Sequence, residues 1–408
     1  MRVLFMSVTA GQGHNQTAKA MMEYMEQRGI ECAMLDTFEY INPILSESIA
    51  KGYLISTKLT PQVYGQIYRM AEKLEGNNAK LSVSKLTSSV LVKKLVAFIN
   101  DYDPDVIVCT HTFAAQILSH YKNKGKSSHD SDSISRKDGV NGADENGTGR
   151  HKMGNAGKKG LRAITVGIIT DYTIHPFWEE TDMDYYITAS DLLNRQAQKK
   201  GMALDRILPL GIPIHTKFAG KMPMAKAREA LGIQDKDTVF VMSGSMGHGN
   251  VIKIVEQLDD LDMDFQILSV CGTNKALMKK ISMMKSRKKI YNYGYVDNVD
   301  VMMDASNCIV TKPGGLTISE SLAKGLPMIL INPIPGQEDR NVEFLLNNGL
   351  AVKITKTYPI DEAVFQLLLN PERTQAMIER IKRIAKPNAT RDICDLLLLQ
   401  KDAIKARR

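Results

Sequence analysis

The chain has 408 residues, a formal net charge of +8 at pH 7 and a pI near 9.0. This length allows two or three domains at ~150 residues each, and the positive charge favours an anionic partner such as a nucleic acid, an acidic lipid surface or a phosphorylated substrate. Five cysteines form no Cys-x-x-Cys pair, which excludes the usual zinc-site spacing and predicts buried thiols in a reducing compartment. The sequence has no signal-peptide pattern and no apolar run near the ~18 residues of a membrane span, so we expect a cytoplasmic protein.

The first predicted element is a strand, Val3 to Phe5, that leads through a glycine-rich turn into a helix-like pattern. The turn lies in the stretch SVTAGQGHNQTAKA, Ser7 to Ala20. Gly11 and Gly13 allow a sharp turn and leave no side chain between the backbone and a ligand at the helix N-terminus. His14 would stand at the positive end of that helix, where the field favours a neutral, proton-accepting imidazole. The stretch is either a binding turn with a candidate base or an ordinary strand-to-helix turn.

A basic segment follows, from Ile41 to Asn100. It carries eight lysines and arginines against three glutamates, interleaved with aliphatic residues and tyrosines. A basic amphipathic surface of this kind is typical of docking on anionic headgroups, and it would give access to a lipid that resides in the membrane. The alternative is an ordinary solvated helix face.

Short β-branched runs recur along the rest of the chain, with helix-like amphipathic segments between most of them. This alternation predicts a parallel α/β fold. The runs are Val106 to Cys109, Ile164 to Ile169, Tyr185 to Ala189, Val239 to Met242, Phe265 to Val270, Cys308 to Val310 and Met328 to Ile331. Because the pattern occurs twice, we predict two Rossmann-like halves joined near Pro213, with the functional cleft between them. The predicted domains are residues 1–213, residues 214–385 and a C-terminal helix over residues 386–408.

One segment, Lys122 to Gly160, does not fit this alternation. It is polar, rich in glycine and nearly free of large apolar residues, so we predict a disordered insertion over residues 122–160. Its Gly157-Lys158 pair is similar to part of a phosphate-binding P-loop. The motif fails because Lys152 stands where it needs Gly and Lys159 stands where it needs Ser or Thr.

The sharpest signal lies in the second half, from Tyr293 to Asn341. A strand ends in Lys312-Pro313-Gly314-Gly315, and Thr317 to Ala323 is predicted as a helix whose first turn carries no bulky cap. Free backbone N–H groups and glycines at a helix start suit a diphosphate. Glu320 lies one turn into the helix, where a carboxylate can accept both hydroxyls of a ribose. Polar residues follow the next strand, at Pro335 to Glu338, and can meet sugar hydroxyls. The segment therefore predicts a nucleotide-sugar pocket.

These blocks resemble the family 28 glycosyltransferases of the diacylglycerol branch, which include monogalactosyldiacylglycerol synthases and bacterial processive diacylglycerol glucosyltransferases. The resemblance rests on KPGGLTISE and LPMILINPIPGQEDRN in the second half, GQGHNQTAKA at the start and ITDYTIHPFW in the middle. It covers nearly the whole chain except residues 122–160. It implies the GT-B fold, an α/β architecture of two facing Rossmann-like domains, and inverting transfer of a hexose from a UDP-sugar to a lipid hydroxyl.

The resemblance also implies a role for individual residues. A turn after one strand would hold uracil through backbone contacts, two glycine-containing loops would cradle the diphosphate, Glu320 would hold the ribose and a polar cluster would bind the hexose. In chain order, the other residues are Ser243, Gly244, Ser245, Met246 and Gly247 for the diphosphate, Gly294, Tyr295 and Val296 for uracil, Gly314, Gly315, Leu316 and Thr317 for the diphosphate, and Gln337, Glu338 and Asn341 for the hexose. Plant members have three glycines before the histidine, whereas here Gln12 replaces the middle one.

Inverting transfer needs a base for the acceptor proton and positive potential for the leaving UDP. His14 fits the first role. Asp171, at the end of a predicted strand, orients His14, serves as the base itself or caps the strand. Helix N-termini and Lys312 supply the second role, so we expect no metal and no cofactor. Pairs such as Asp182 and Asp184 would suggest the metal site of the other major transferase fold, but two Rossmann-like halves favour GT-B.

The expected function is that of a UDP-hexose:diacylglycerol glycosyltransferase, with glucose as the expected sugar, peripheral on the inner face of the cell membrane. Expected partners are the UDP-hexose, a diacylglycerol or glycolipid acceptor and an anionic membrane surface, and no nucleic acid. The alternatives are a UDP-N-acetylglucosamine-dependent transferase of peptidoglycan lipid-intermediate synthesis, a UDP-sugar epimerase on the same architecture, a noncatalytic UDP-sugar sensor and a nucleic-acid binder. His14 together with Asp171 argues against a sensor. Glucose or galactose, and one transfer or several, stay open at this point.

Overall fold

The structure of the protein, a computed structural model, describes residues 1–9, 13–41, 89–122, 161–242 and 251–400. Within these ranges, twelve strands form two six-stranded sheets, and every pair of neighbouring strands is parallel. Helices cover the faces of such sheets, so a central strand is apolar along its whole length. The strand VIVC in the first sheet, for example, is buried at all four residues.

The first sheet has the spatial order β2-β1-β3-β4-β5-β6. Its strands are β1 Arg2–Ser7, β2 Glu31–Asp36, β3 Val106–Cys109, β4 Ile164–Ile168, β5 Tyr185–Ile187 and β6 Ile207–Leu208. The strand order reverses direction between β1 and β3. A crevice forms outside the carboxyl ends of the strands at such a reversal, and ligands of open α/β sheets bind there.

The second sheet has the order β12-β11-β10-β7-β8-β9, which is the doubly wound order of a dinucleotide-binding fold. Its strands are β7 Thr238–Met242, β8 Gln266–Val270, β9 Ile290–Tyr293, β10 Cys308–Thr311, β11 Met328–Leu330 and β12 Ala351–Lys353. Here the reversal lies between β7 and β10. The segment after β10 is the Lys312-Pro313-Gly314 turn that the sequence predicts to bind a diphosphate.

Helices connect the strands in both halves. In the first half they are α1 Gly13–Glu26, α2 Thr37–Ile41, α3 Ser89–Tyr102, α4 over residues 112–122 and α5 Asn194–Lys199. From the linker onward they are α6 Met224–Ala230, α7 Val251–Asp260, α8 Lys275–Ser282, α9 Val299–Asp304, α10 Gly315–Lys324, α11 Gln337–Asn347, α12 Ile360–Leu368, α13 Pro371–Ile384 and α14 Ala389–Leu399. In the described ranges, no helix combines the length and apolar composition needed to cross a bilayer.

The last helix, α14, returns to the first half and packs on α1. Ile393 and Cys394 on α14 lie in one buried cluster with Met21 and Met25 on α1. The hydroxyl of Tyr24 on α1 also donates to a carboxylate oxygen on α14 at 3.0 Å. The core of the first half therefore includes residues from the far end of the chain.

The chain crosses between the halves at two places that lie side by side. Gly211, in the first crossing, has a φ of 99°, and a Cβ there would lie 2.4 Å from the Cβ of Lys386 in the second crossing. A larger residue would therefore force the two crossings apart. Thr390 on α14 donates its hydroxyl to the Ile214 carbonyl at 2.5 Å, which ties the second crossing to the first.

The two parallel α/β halves predicted from the alternation of strands and helices are confirmed. Each of the seven predicted strand runs is a strand, with ends within two residues of the expected ones. Lys122 belongs to α4 and its ammonium lies 3.2 Å from an Asp184 carboxylate oxygen, so the predicted insertion begins one residue later at the earliest. Residues 123–160 lie outside the described residues, as do residues 42–88 of the predicted basic segment. All five cysteines are unpaired, and four of them are buried.

Candidate active site

Three segments of the first half converge at the carboxyl ends of β1, β3 and β4. The segment after β1 leads to His14 near the start of α1, β3 is followed by Thr110 and His111, and β4 is followed within three residues by Thr170 and Asp171. Residues at these strand ends meet at one edge of the sheet. They form the wall of the cleft that faces the second half.

The hydrogen bonds of His14 determine which ring nitrogen carries the proton. Nδ1 lies 2.7 Å from the Thr110 carbonyl oxygen and 3.2 Å from the Thr170 hydroxyl oxygen. Because a carbonyl oxygen only accepts, Nδ1 carries the hydrogen and donates it to Thr110. In the neutral ring Nε2 is then the proton acceptor. Burial lowers the pKa of His14 below its ordinary value of 6.5, and the Asp171 carboxylate and the Thr110 carbonyl oppose this effect.

Asn15 anchors the start of α1 next to His14. Its Oδ1 accepts from the Ser7 hydroxyl at 2.5 Å, and its Nδ2 donates to the Thr9 hydroxyl at 3.0 Å. The Thr9 N–H donates in turn to Asp36 at the end of β2, at 2.8 Å. These bonds connect the end of β1 with α1 and β2, so the direction of the first turn of α1, and with it the imidazole, is fixed from two sides.

The glycines predicted in this loop are only partly described. Gly11 and Gln12 lie outside the described residues. Gly13 is the first residue of α1, and a Cβ on it would lie 3.9 Å from Leu316 of the second half, which is ordinary van der Waals contact. The start of α1 and the start of α10 therefore face each other across the cleft.

Asp171 is held by two amides from the second half. Its Oδ2 accepts from Gln337 Nε2 at 2.7 Å, and its Oδ1 accepts from Asn341 Nδ2 at 3.0 Å. Burial raises the pKa of the Asp171 carboxyl, whereas both amides and the nearby His14 favour the ionised form and oppose the rise. A carboxylate of the first half thus obtains its hydrogen-bond donors from the other side of the cleft.

Asn341 has no surface left for a sugar in this structure. Its side chain is 0% exposed. Besides its bond to Asp171, Nδ2 donates to the Pro313 carbonyl at 3.0 Å, and Oδ1 accepts from the Tyr172 N–H at 2.8 Å. Gln337 and Glu338, the other two residues that the resemblance assigns to the hexose, are half-buried and lie at the start of α11.

His111 is a second imidazole beside His14, and both residues are half-buried. The two ring centroids lie 4.7 Å apart with the rings nearly perpendicular, at 80°. His111 Nδ1 accepts from the Phe113 N–H at 3.1 Å, so in the neutral ring Nε2 carries the hydrogen. Burial, together with His14 and His175, holds the pKa of His111 well below its ordinary value. The ring is therefore a neutral donor beside the proton-accepting His14.

The predicted diphosphate segment lies at the N-terminus of α10. Gly314 caps this helix with an extended backbone and no side-chain hydrogen bond. The first-turn N–H groups of a helix lack partners within the helix and attract anions. Lys312 lies just before the cap with its Nζ 3.6 Å from Glu338 Oε2, and the same Glu338 oxygen accepts from the Ile334 N–H at 2.6 Å. Burial raises the pKa of Glu338, with Lys312 opposing.

The start of α10 is in direct contact with the first half. A Cβ on Gly315 would lie 1.9 Å from the Thr170 carbonyl oxygen, so only glycine fits there. Leu316 and Thr317 follow in the first turn and are half-buried. The predicted diphosphate loop and the His14 site are therefore two sides of one cleft.

Glu320 lies further along α10, near Lys217 and Asp300. Burial raises the pKa of its carboxyl to about 8, Asp300 adds to the rise and Lys217 opposes it. Lys217 follows the first crossing, in the short 3-10 helix Thr216–Ala219, and its Nζ lies 3.5 Å from Asp300 Oδ1 and also donates to the Asp297 carbonyl. Glu320 is thus a carboxyl that stays largely protonated at neutral pH in the absence of a ligand.

The predicted uracil turn follows β9. Gly294, Tyr295 and Val296 come directly after the last residue of this strand, and the Tyr295 side chain is 69% exposed. The turn lies at the carboxyl edge of the second sheet, as does the start of α10. The other predicted diphosphate loop, residues 243–247, lies outside the described residues.

The aspartate pair that could have suggested a metal site has other partners. Asp182 forms an ion pair with Arg206 at 2.9 Å, and Asp184 accepts from the Thr165 N–H at 2.8 Å. In the part of the chain that the structure describes, no group of three or more His, Cys, Asp or Glu side chains is placed to hold a metal ion.

Sequence reasoning missed four residues that lie next to the base site. Thr110 and His111 come directly after β3, and Thr170 and Tyr172 lie just after β4. Both strands were predicted correctly. These residues could have been found by treating every polar residue that follows the C-terminal end of a predicted strand as a candidate. The Tyr172 hydroxyl, 3.0 Å from the Ser319 hydroxyl on α10, shows that such residues also join the halves.

Comparison with family models gives two matches that together cover most of the chain. Residues 14–129 and 156–214 match the monogalactosyldiacylglycerol (MGDG) synthase model. Residues 238–393 match the model of the glycosyltransferase family 28 C-terminal domain. The first match falls on the half that carries His14, and the second falls on the half that carries α10 and α11.

Curated relatives match over nearly their whole length. The processive diacylglycerol beta-glucosyltransferase of Bacillus pumilus is 27% identical over 410 residues, which cover 99% of this chain and 96% of the relative. The enzyme of the same name from Bacillus subtilis is 26% identical over 413 residues, which cover 100% of this chain and 97% of the relative.

Solved structures confirm the fold prediction. MurG of Acinetobacter baumannii aligns with a TM-score of 0.58 at 13% identity, over 97% of this chain and 98% of that chain. The calicheamicin glycosyltransferase CalG4 aligns with a TM-score of 0.57 at 11% identity, over 100% and 98% of the two chains. A UDP-GlcNAc 2-epimerase from Neisseria meningitidis gives 0.53 at 13% identity, over 98% and 100%. The protein has the GT-B fold, with two Rossmann-like domains.

Proposed function

We propose that this chain, which belongs to the family 28 glycosyltransferases in the branch of the monogalactosyldiacylglycerol synthases and processive diacylglycerol glucosyltransferases, transfers a hexose from a UDP-sugar to the hydroxyl of diacylglycerol with inversion. Glucose is the proposed sugar, because the relatives matched over their full length are named as glucosyltransferases of diacylglycerol. The product is a membrane glycolipid.

One observation carries the chemical part of this proposal. His14 donates its Nδ1 hydrogen to the Thr110 carbonyl at 2.7 Å, which leaves Nε2 to accept a proton. The ring lies opposite the start of α10, where the donor diphosphate is proposed to bind. A neutral imidazole with a pKa below its ordinary value is a suitable general base near neutral pH.

The proposed reaction is a single displacement at C1 of the hexose. The acceptor hydroxyl oxygen forms a bond to C1, the bond from C1 to the diphosphate oxygen breaks, and UDP leaves with the bonding electron pair. The acceptor proton passes to Nε2 of His14. Attack from the face opposite the leaving group accounts for inversion. Asp171 either stabilises the resulting imidazolium by its charge or, in the alternative assignment, takes the proton itself.

The second half supplies the donor site in this proposal. The first-turn N–H groups at Gly315, Leu316 and Thr317 and the ammonium of Lys312 would neutralise the leaving diphosphate. Glu320 would accept the ribose hydroxyls. Because these groups provide positive potential, we expect turnover without a divalent cation, and a chelator such as EDTA should leave the rate unchanged.

The acceptor is proposed to reach the cleft from an anionic membrane surface on the cytoplasmic side. The basic segment from Ile41 to Asn100 supports this through its excess of lysine and arginine. Lys93 and Lys94, which fall within the described residues, are both exposed on α3. The rest of the charged residues in that segment lie outside the described residues.

The deciding experiment incubates the purified protein with labelled UDP-glucose, UDP-galactose or UDP-N-acetylglucosamine and vesicles that contain diacylglycerol. We expect labelled glycolipid from UDP-glucose. Label transferred only from UDP-N-acetylglucosamine to a polyprenyl lipid would favour the peptidoglycan-type reaction. Conversion of a UDP-sugar without lipid labelling would favour an epimerase. Absence of turnover with all three donors would overturn the proposal.

A further inference from the structure

Four hydrogen bonds cross the cleft beside His14 from two consecutive residues, Asp171 and Tyr172, in the described part of the chain. The Asp171 carboxylate accepts from Gln337 and Asn341 at 2.7 and 3.0 Å. The Tyr172 N–H donates to Asn341 Oδ1 at 2.8 Å, and the Tyr172 hydroxyl lies 3.0 Å from the Ser319 hydroxyl. The end of β4 is therefore joined to both α10 and α11.

Asn341 uses nearly all of its hydrogen-bonding capacity within the protein. Its two Nδ2 hydrogens go to Asp171 and to the Pro313 carbonyl, and one lone pair of Oδ1 accepts from Tyr172. Its side chain is 0% exposed, so in this structure it presents no surface to the cleft. Its position links the diphosphate loop, through Pro313, to the carboxylate beside the base.

Gln337 has capacity to spare. Its Nε2 donates one hydrogen to Asp171 Oδ2, which leaves a second hydrogen and the Oε1 acceptor. A half-buried amide at the start of α11 can therefore hold Asp171 and a hexose hydroxyl at the same time. The two amides thus have different roles, although both contact the same carboxylate.

We infer that Asn341, assisted by Gln337, is a positioning residue: its side-chain amide holds the Asp171 carboxylate beside His14, so the charge that supports the base is in place only when the two halves are together. This inference rests on the proposed function for its effect on turnover. It assigns to Asn341 a role in setting the base, in place of contact with the hexose.

The physical reason lies in how Asp171 reaches His14. Nδ1 of His14 already donates to Thr110 and lies near the Thr170 hydroxyl, so Asp171 acts on the ring through its charge. A buried carboxyl without donors tends to take up a proton and lose that charge. The donors that oppose this protonation are on α11, in the other half. Contact between the halves therefore has two effects. It brings the predicted diphosphate loop to the cleft, and it keeps Asp171 negatively charged next to His14.

Several other titratable groups lie near this carboxylate. His14 faces it from α1, His111 lies beside His14, and His175 interacts with His111. On α11, Glu338 interacts with Asp171 and is paired with Lys312 at 3.6 Å. The test variants leave all of these residues unchanged, so a change in the behaviour of His14 reports on Asp171 and its amide partners.

The test compares Asn341→Leu and Gln337→Leu with Tyr172→Phe in the full-length protein. Leucine removes the amide donors without adding charge, whereas phenylalanine removes a hydrogen bond of the same interface that does not involve Asp171. We expect Asn341→Leu to lower kcat by about tenfold or more with a much smaller change in the KM for the UDP-sugar. The acidic limb of its pH–rate profile should move to lower pH, as in Asp171→Asn, because the carboxylate no longer raises the pKa of His14. In Tyr172→Phe this limb should stay where it is.

A double-mutant cycle with Asp171→Asn separates positioning from a general loss of stability. If Asn341 and Gln337 act through Asp171, their replacement should cost little further kcat once Asp171 is asparagine. Full additivity, or an unmoved acidic limb in both leucine variants, would overturn the inference. Gln337→Leu keeps the inference testable if Asn341→Leu fails to fold. Gln337 is half-buried and has fewer partners than Asn341, so its replacement should disturb the fold less.

A titration of His14 by NMR makes the test independent of transfer. In histidine-labelled protein, the signal of His14 is identified by its loss in His14→Ala. We expect its pKa to fall in both leucine variants and to be unchanged in Tyr172→Phe. Should the parent transfer no sugar while this pattern holds, the proposed function fails and the positioning role stands. An unchanged pKa in the leucine variants would remove the positioning role whatever the activity.

Discussion

The imidazole of His14 combines two properties that a general base needs. Its hydrogen bond to Thr110 fixes the tautomer, and burial lowers its pKa, which favours the neutral ring near pH 7. We therefore expect His14→Ala to lower kcat by ~100 to 10,000-fold, the range of a lost general base, with unchanged affinity for UDP. Lipid glycosylation, UDP titration and the melting temperature check the three quantities. If the His14 variant turns over like the parent while Asp171→Asn is inactive, Asp171 is the base.

The pH dependence of the parent follows from the same residue. A base is active when it is deprotonated, so kcat/KM should rise with pH through the pKa of His14 in the free enzyme and then level off. Because burial lowers this pKa, the half-maximum should lie below 6.5. In Asp171→Asn it should move lower still, because the carboxylate that raises the pKa is gone. A half-maximum above 6.5 in the parent would contradict the assignment.

If Glu320 binds the ribose as proposed, UDP binding has a pH dependence of its own, in which burial raises a pKa instead of lowering it. Its carboxyl has a pKa of about 8 because of burial, so it is mostly protonated at pH 7. Ribose hydroxyls donate to the ionised form, and affinity for UDP should therefore rise several-fold between pH 7 and 8.5. Calorimetry measures the affinity for UDP at each pH. Glu320→Gln is the matched neutral variant, and the difference between it and the parent removes the effect of the nucleotide's own titration. Glu320→Ala should weaken UDP binding by ~1 to 3 kcal/mol. Equal pH profiles for the parent and Glu320→Gln would remove Glu320 from the ribose site.

At the scale of elements, buried strands were predictable and edge strands were not. β3, β7 and β10 are short apolar runs because helices cover both of their faces. β9 has the sequence IYNY and is half-buried throughout, and β2 begins with an exposed glutamate, so neither shows an uninterrupted apolar run. Both lie at sheet edges, where one side of the strand meets solvent. The start of α10 was predictable because Gly314 and Gly315 mark it in the sequence.

The packing of α14 on α1 predicts a stability effect far from the site of substitution. Ile393 is fully buried against α1, so Ile393→Ala should cost ~2 to 5 kcal/mol of unfolding free energy. The loss of hydrogen-exchange protection should appear in β1, β3 and α1, in the first half. Leu399, on the same helix but 79% exposed, is the matched control, and Leu399→Ala should leave protection unchanged. Loss of protection confined to the second half would show that α14 belongs to that half.

For the molecule as a whole, the sequence predicted which segments form the cleft but not how they contact one another. The motifs pointed to the segments that carry His14, Asp171 and α10, and the structure brings these segments together. The bonds from Gln337 and Asn341 to Asp171 join residues 166 and 170 positions apart, and no local pattern encodes such a distance. They depend on how the two sheets meet. The resemblance to a known family assigns Asn341 to the hexose. The structure of both halves shows that its side chain instead bonds to Asp171, Tyr172 and Pro313.

The positive charge of the whole molecule makes a prediction about membranes. If the segment from Ile41 to Asn100 is the docking surface, each basic residue near an anionic bilayer contributes about 1 kcal/mol, and salt weakens the effect. Reversal of Lys51, Lys58, Lys93 and Lys94 to Glu should then abolish cosedimentation with acidic vesicles while UDP binding survives. Reversal of four exposed lysines in the second half gives the same change in net charge and is the matched control. These are Lys275, Lys279, Lys280 and Lys285. Equal loss in both variants would show that binding follows net charge and not this surface.

The return of α14 to α1 also bears on the order in which the protein is completed during its synthesis. Tyr24 and its partner Asp395 are separated by 371 positions. When the ribosome has synthesised both sheets, it has not yet synthesised α14, which covers Met21 and Met25. The apolar residues of α1 that pack on α14 therefore lack this partner while the second half is being translated, and we expect chaperones that bind exposed apolar surface to act in that interval. The half that carries the candidate base is therefore synthesised first, but its packing is completed last.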